Sequence, residues 1–135
     1  MDTKLKNLVL DKMKHCIMAN KSKILDANLK DIAQYNGGDT AIAERLVVDD
    51  KKIAEMVHAL DMLVQYNDPV GRIIYSHEPE NGLHIENKTA PFGTILIIYE
   101  SRPDVTVEAA GIAFKAGNAI ILKGGKESYH TNIAI

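Results

Sequence analysis

The sequence has few of the residues that stabilise or equip several classes of protein. Of its 135 residues, 1 is cysteine and none is tryptophan, and aromatic residues make up 5% of the chain. A single cysteine excludes an internal disulfide framework and fits a reducing, cytoplasmic compartment. The scarcity of aromatic side chains argues against a base-stacking platform for single-stranded nucleic acid.

The sequence also lacks an excess of charge and any long apolar run. Lys and Arg number 16 against 18 Asp and Glu, a net charge of −2, which argues against a broad basic face for nucleic acid. The longest apolar run, residues 95–99, is too short to cross a bilayer, and the N-terminus has no apolar signal core. We therefore expect neither nucleic acid nor a membrane as a partner.

Apolar residues in the first half recur at the spacing of helix faces, and they predict four amphipathic helices. The second helix is expected to present Leu25, Leu29 and Ile32 to the core and to end before Gly37, where glycine can close a helix. Asp49 is placed to cap the fourth helix. Each of these helices needs a partner surface.

The pattern changes to short strands after residue 67. Residues 72–76 and 83–88, joined through the strong turn signal Asn81-Gly82, predict an antiparallel hairpin. Residues 94–99 follow as a continuous apolar run, which is typical of a parallel strand buried on both faces.

A second apolar run, residues 119–122, is joined to the first by a predicted helix over residues 105–116. Asp104 is placed to cap that helix and Gly117 to close it. Strand, helix and strand together predict a right-handed βαβ unit, and a final helix is expected to start near Ser128.

The predicted fold is therefore α/β, with a helical region over residues 1–66 and an α/β region over residues 67–135. Two parallel strands alone leave a sheet with unpaired edges, so we expect this α/β domain to be incomplete in the present chain. A small domain whose hairpin and helices complete the sheet is the alternative.

The segment from Lys123 to Glu127 follows the second parallel strand, where ligands collect in open α/β sheets. Gly124 and Gly125 allow the backbone to approach a ligand closely, Lys123 can reach a phosphate, and Glu127 can accept hydrogen bonds from ribose hydroxyls. An ordinary strand-to-helix turn with solvated charges explains the same residues and stays open as an alternative.

Ser101 and Arg102 lie at the end of the first parallel strand, beside that loop. The guanidinium of Arg102 can hold a carboxylate or phosphate through two hydrogen bonds. A plain helix start explains the neighbouring Pro103 but not Arg102.

Cys16 is not expected to be a nucleophile, since it falls on the apolar stripe of the first helix and is predicted to be buried there. No metal site is expected either. The 5 histidines show no pairing at zinc-ligand spacing.

Several motifs together carry a family resemblance. They are Asp-Pro-Val-Gly at 68–71, Asn-Gly-Leu at 81–83, Tyr-Glu-Ser-Arg-Pro-Asp-Val-Thr at 99–106 and Gly-Asn-Ala-Ile-Ile-Leu-Lys-Gly-Gly at 117–125. The chain resembles the gamma-glutamyl phosphate reductase (glutamate-5-semialdehyde dehydrogenase) family of the aldehyde dehydrogenase superfamily. The resemblance implies that the α/β region is the first part of a Rossmann-type cofactor domain.

The resemblance implies a reaction as well. The family uses NADPH to reduce L-glutamate 5-phosphate to L-glutamate 5-semialdehyde, with release of phosphate, in L-proline biosynthesis. A cysteine thiolate forms a thioester that accepts hydride from the cofactor. A cytoplasmic location and a homo-oligomer of the full-length enzyme follow from the same resemblance.

The family's site residues transfer to matching positions. The resemblance places Lys123, Gly124, Gly125 and Glu127 at the adenosine ribose and Ser101 near the reacting oxyanion, and Arg102 is the candidate for an anionic substrate group. The family's catalytic cysteine lies beyond Ile135, so we expect this chain to be an N-terminal fragment without activity of its own. The alternative is a non-catalytic nucleotide-binding or interaction module derived from such an enzyme.

Overall fold

The first half of the chain forms the four helices that its periodicity predicts. In the computed structural model, which describes residues 1–135, they are α1 (Thr3–Ala19), α2 (Lys21–Gln34), α3 (Thr40–Leu46) and α4 (Asp50–Gln65). The predicted cap of α4 is confirmed, since the Asp49 carboxylate accepts a 2.8 Å hydrogen bond from the Lys52 backbone N–H. Asp2 and Asp39 cap α1 and α3 in the same way.

The second half contains a hairpin and a parallel pair of strands, as predicted. Its elements are β1 (Ile73–His77), β2 (Ile85–Lys88), β3 (Thr94–Ile98), α5 (Pro103–Lys115), β4 (Ala119–Lys123), a 3₁₀ turn (Lys126–Ser128) and α6 (Tyr129–Ala134). Strands β1 and β2 pair antiparallel, and β3 and β4 pair parallel in a separate sheet. Gly82, in the predicted turn, has a φ of 79°, the left-handed conformation that glycine adopts readily.

The hydrophobic core lies where α1, α4 and α5 meet. Its buried members come from both sides of the boundary predicted near residue 67, and they are Leu10, Ile17, Ile24, Val48, Ile53, Met56, Leu60 and Val107. Each such side chain contributes about 1.5–3 kcal/mol through burial.

The β3–β4 sheet is covered on one face only. Its parallel pairing is confirmed, but Leu96, Ile98 and Ile121 are 57%, 66% and 57% exposed. The prediction that these strands are buried on both faces is wrong for this chain. The reason is that α5 packs on one side of the two-stranded sheet, and the alternate side chains face outward on the other.

Helix α2 buries a different face from the predicted one. Leu29 is 64% exposed, whereas Asn28 and Asp31 are 1% and 3% exposed. The side chain of Asn28 bonds to the backbone at Leu46 and Val48. Polar contacts therefore decide which face of α2 is buried.

Helix α5 starts earlier than predicted, and Asp104 does not cap it. Pro103 is its first residue, and Arg102 occupies the cap position without a side-chain hydrogen bond to the backbone. Asp104 lies in the first turn, where it accepts from Lys52 Nζ at 3.3 Å and from Arg102 Nη2 at 3.2 Å. A carboxylate there still interacts favourably with the helix dipole.

Helices α4 and α5 cross closely at Gly111. A Cβ atom at Gly111 would lie 2.8 Å from Leu60 Cδ2 and 2.8 Å from Leu63 Cδ1. We expect Gly111→Ala to lower the free energy of unfolding by about 1 kcal/mol, because overpacking outweighs the gain in helix propensity. Urea unfolding measures the change. Gly38→Ala is the control, since nothing lies within 4 Å of its Cβ position; an equally stable Gly111→Ala variant would contradict the close crossing.

Candidate cofactor cleft

A cleft of about 740 Å³ opens between the loop after β4 and the loop that joins α2 to α3. Most of its lining residues are polar, charged or glycine, and the lining consists of Asp31, Gln34, Tyr35, Asn36, Gly37, Gly38, Asp39, Ile42, Glu100, Gly125, Lys126 and Glu127. This volume lies within the range of small-molecule sites, and the cleft sits at the carboxyl ends of parallel strands.

Two of the four residues predicted to contact a cofactor line the cleft. These are Gly125 and Glu127, while Lys123, the last residue of β4, and Gly124 lie beside it. The sequence reasoning missed the opposite wall. The signal for that wall is the pair Gly37-Gly38, which by itself predicts only the end of a helix.

Ser101 and Glu127 are in direct contact. The hydroxyl of Ser101 donates to Glu127 Oε1 at 2.7 Å, and the backbone N–H of Ser101 donates to the same oxygen at 3.2 Å. The hydrogen bond from the hydroxyl lowers the pKa of Glu127 and outweighs the opposing effect of partial burial. The cleft therefore has one carboxylate held in place in its charged form.

Both glycines of the loop make room for the chain's own side chains. A Cβ atom at Gly125 would overlap the Glu127 carboxylate, and one at Gly124 would overlap the Asn132 amide. The two glycines thus leave room for the side chains of Glu127 and Asn132, and this room does not depend on a ligand.

A series of hydrogen bonds links Tyr99, α5 and α6 to the loop after β4. Tyr99 and Thr106 share a 2.6 Å hydrogen bond between hydroxyls, and Thr106 donates to Asn132 Oδ1 at 3.0 Å. The Asn132 amide donates to Ser128 Oγ at 3.0 Å, and Ser128 donates to the Gly125 carbonyl at 3.2 Å. Because every hydroxyl hydrogen has an acceptor, the loop is held without any ligand.

The lining of the cleft is acidic. Asp31, Asp39, Glu100 and Glu127 face a single cation, Lys126. Asp39 is already engaged as a helix cap, and the side chain of Glu127 is held by Ser101. Such a lining suits a ligand's hydroxyl donors better than its phosphates, which need the lysines at the edge of the loop.

Arg102 lies outside this lining. Its side chain is 53% exposed and is paired with Asp104 at 3.2 Å. The Asp104 side chain is 10% exposed, so Arg102 is the exposed partner of a half-buried ion pair. Its role in binding substrate stays a prediction.

Cys16 lies on the surface of α1, which corrects the prediction that it is buried. The buried stripe of α1 consists instead of Lys6, Leu10 and Ile17. No group of three or more His, Cys, Asp or Glu side chains is positioned to hold a metal ion. None of the helices combines the length and apolar character needed to cross a membrane.

The fold and cleft together define an α/β protein with a ligand-sized polar cleft at the ends of two parallel strands. No protein-family model matches the chain. Curated relatives do match it, and they are named gamma-glutamyl phosphate reductase. The chain is 46% identical to the one from Nautilia profundicola over 133 residues, which are 97% of this chain and 32% of that protein. It is 44% identical to one from Clostridium botulinum over 132 residues, 96% of this chain and 32% of that protein.

Two crystal structures of gamma-glutamyl phosphate reductase share the fold. The structure from Thermotoga maritima superposes with a TM-score of 0.92 at 39% identity, and the match covers 99% of this chain and 33% of the Thermotoga chain. The structure from Saccharomyces cerevisiae gives 0.91 at 34% identity, covering 97% and 34%. The resemblance inferred from the motifs is confirmed. The chain is homologous to gamma-glutamyl phosphate reductase and spans about a third of the length of these relatives.

Proposed function

We propose that the chain is the cofactor-side part of a reductase that converts L-glutamate 5-phosphate to L-glutamate 5-semialdehyde and phosphate. NADPH is the proposed reductant, L-proline biosynthesis the proposed pathway, and the cytoplasm the proposed location. The observation that carries this proposal is the match to reductases of this name over 97% of the chain. A homo-oligomer of the full-length protein belongs to the same proposal.

The residues of the cleft fit part of this cofactor. Glu127 Oε1 is held by Ser101, and Oε2 receives no hydrogen bond from another residue, so it can accept from a ribose hydroxyl. Lys123 and Lys126 lie on either side of the glycine pair and would neutralise phosphate groups. When bound, NADPH would supply the hydride. The chain's own residues would bind and orient it, and the acylated thiol would come from another part of the enzyme.

The first test compares the isolated chain with the longest natural reading frame that contains it. We expect the longer protein to show NADPH-dependent reductase turnover and to restore growth without proline in a strain that lacks this reductase. We expect the 135-residue chain to show neither and to bind NADPH weakly. Nicotinamide absorbance and calorimetry measure the two properties.

Two outcomes would change the assignment. Turnover by the isolated chain would show that the reaction needs no thiol from outside it. A reading frame that stops after Ile135, together with an inactive chain, would favour the second candidate, a non-catalytic nucleotide-binding or interaction module. The cleft of about 740 Å³ favours that candidate over a purely structural role.

A further inference from the structure

Two residues that the sequence suggests for different tasks form one unit in the structure. Ser101 follows β3 and Glu127 follows β4, and the parallel register places Ile98 opposite Lys123 at the ends of these strands. Ser101 donates to Glu127 Oε1 through both its hydroxyl, at 2.7 Å, and its backbone N–H, at 3.2 Å. The contact therefore bridges the ends of the two strands.

The hydrogen bond to Glu127 limits the other contacts that the Ser101 hydroxyl can make. A serine hydroxyl has one hydrogen, and that of Ser101 is already donated to Glu127. Ser101 is also 1% exposed, so a reacting oxygen has no open approach to its Oγ. A direct contact with an oxyanion would require this hydrogen bond to break, which makes an indirect role the better reading of the geometry.

Glu127 is the group through which Ser101 can act. Its carboxylate lies on the wall of the cleft, beside Gly125 and Lys126. The space that it occupies exists because residue 125 has no Cβ atom. A carboxylate fixed in one place at a cleft wall is preorganised to accept hydrogen bonds from a ligand's hydroxyl groups.

We propose that Ser101 is a positioning residue, which fixes the Glu127 carboxylate so that it accepts hydrogen bonds from the ribose hydroxyls of a nucleotide. The nucleotide part of this inference rests on the proposed function. The contact between Ser101 and Glu127 does not, because the chain makes it without a ligand.

The first experiment tests the contact in the 135-residue chain by following the titration of the Glu127 carboxyl with carbon NMR. In the unaltered chain we expect this carboxyl to titrate below the usual range for glutamate. Ser101→Ala should move its titration upward, and Ser101→Thr, which keeps a hydroxyl, should restore the low value. Ser76→Ala, an exposed serine on β1, is the control. An unchanged titration in Ser101→Ala overturns the positioning role.

A second variant tests the same contact in case the Ser101→Ala chain does not fold. Gly125→Ala leaves Ser101 intact and pushes the Glu127 carboxylate out of its place, since the added Cβ would overlap it. We expect the same upward shift in the Glu127 titration. A Gly125→Ala chain that keeps the low titration contradicts the proposed geometry.

The second experiment separates a positioning role from an oxyanion role in the full reading frame. We expect Ser101→Ala to raise the KM for NADPH about tenfold, as the loss of a fixed hydrogen-bond acceptor would, with kcat changed by less than about twofold. An oxyanion contact would instead lower kcat about a hundredfold or more and leave the KM for NADPH unchanged, which would overturn the proposal. A wild-type protein that neither turns over nor binds NADPH overturns the proposed function and the ribose assignment together. The Glu127 titration then still decides whether Ser101 positions the carboxylate.

Discussion

Asp68→Asn is expected to lower the free energy of unfolding by about 3 kcal/mol, because it removes the charged partner of a buried lysine. Lys6 is 2% exposed, and its Nζ lies 2.8 Å and 2.9 Å from the two carboxylate oxygens of Asp68. Thr3 Oγ1 and the Val70 backbone N–H donate to the same carboxylate at 2.9 Å and 3.0 Å. The pair ties the start of α1 to the turn that precedes the hairpin.

The measurement is urea unfolding at neutral pH. Glu55→Gln is the control, since it breaks an exposed pair with Lys51 in which the side chains are 55% and 83% exposed, and we expect a loss below about 0.5 kcal/mol. The double variant Lys6→Met/Asp68→Asn should recover part of the loss, because it removes the unpaired charge as well. A loss in Asp68→Asn no larger than that in Glu55→Gln would contradict the role assigned to this pair.

The same carboxylate predicts how stability depends on pH. Partial burial raises the pKa of Asp68, but the hydrogen bonds from Lys6, Val70 and Thr3 outweigh it and lower the pKa from 3.8 to about 2. The folded state therefore binds fewer protons than the unfolded state between these values, so stability rises with pH through this window. The contribution of Asp68 is fully present above pH 3.8 and is lost as the pH falls toward 2. The difference in stability between the wild type and Asp68→Asn should shrink over that interval.

Local signals in the sequence predicted most elements of the fold. The cap at Asp49, the turn at Gly82 and the glycine that closes α5, Gly117, with a φ of 76°, each act within a few residues of their position. Such features depend on nearby backbone groups, so a single sequence contains the information needed to place them.

Features that depend on distant partners were not predictable in the same way. The burial of Asn28 and Asp31 follows from contacts with Thr131, which lies 103 and 100 residues further along the chain. The exposure of Cys16 follows from how α1 packs, with Lys6 rather than Cys16 turned inward. Periodicity ranks residues by hydrophobicity, and it cannot recognise a polar side chain that is buried because its hydrogen bonds are satisfied elsewhere.

The contact between Ser101 and Glu127 was predictable only in part. The sequence identified Ser101 and Glu127 separately, each just after a predicted parallel strand. The register of β3 with β4 brings these positions together, since the strands end at Ile98 and Lys123. The pairing of neighbouring parallel strands predicts that the two residues lie close together. Only the structure shows that the Ser101 hydroxyl donates to Glu127.

Asp31→Ala is expected to lower the free energy of unfolding by about 3 kcal/mol, because it leaves the start of α6 without acceptors. Asp31 is 3% exposed, and its carboxyl oxygens accept from the backbone N–H groups of His130 and Thr131 at 3.0 Å and 2.7 Å and from Thr131 Oγ1 at 2.6 Å. Helix α2 thereby caps α6 across 100 residues of chain.

Asp26→Ala is the matched control, since Asp26 lies on the exposed face of the same helix, and we expect a change below about 0.5 kcal/mol there. Hydrogen exchange gives a local readout beside urea unfolding. The amides of His130 and Thr131 should exchange faster in Asp31→Ala, because their acceptor is gone. Asp31 and Glu127 both line the cleft, and α6 follows the loop that carries Glu127, so a loosened α6 should disturb that loop. Stability and exchange equal to those of Asp26→Ala would show that α6 is held by apolar packing alone.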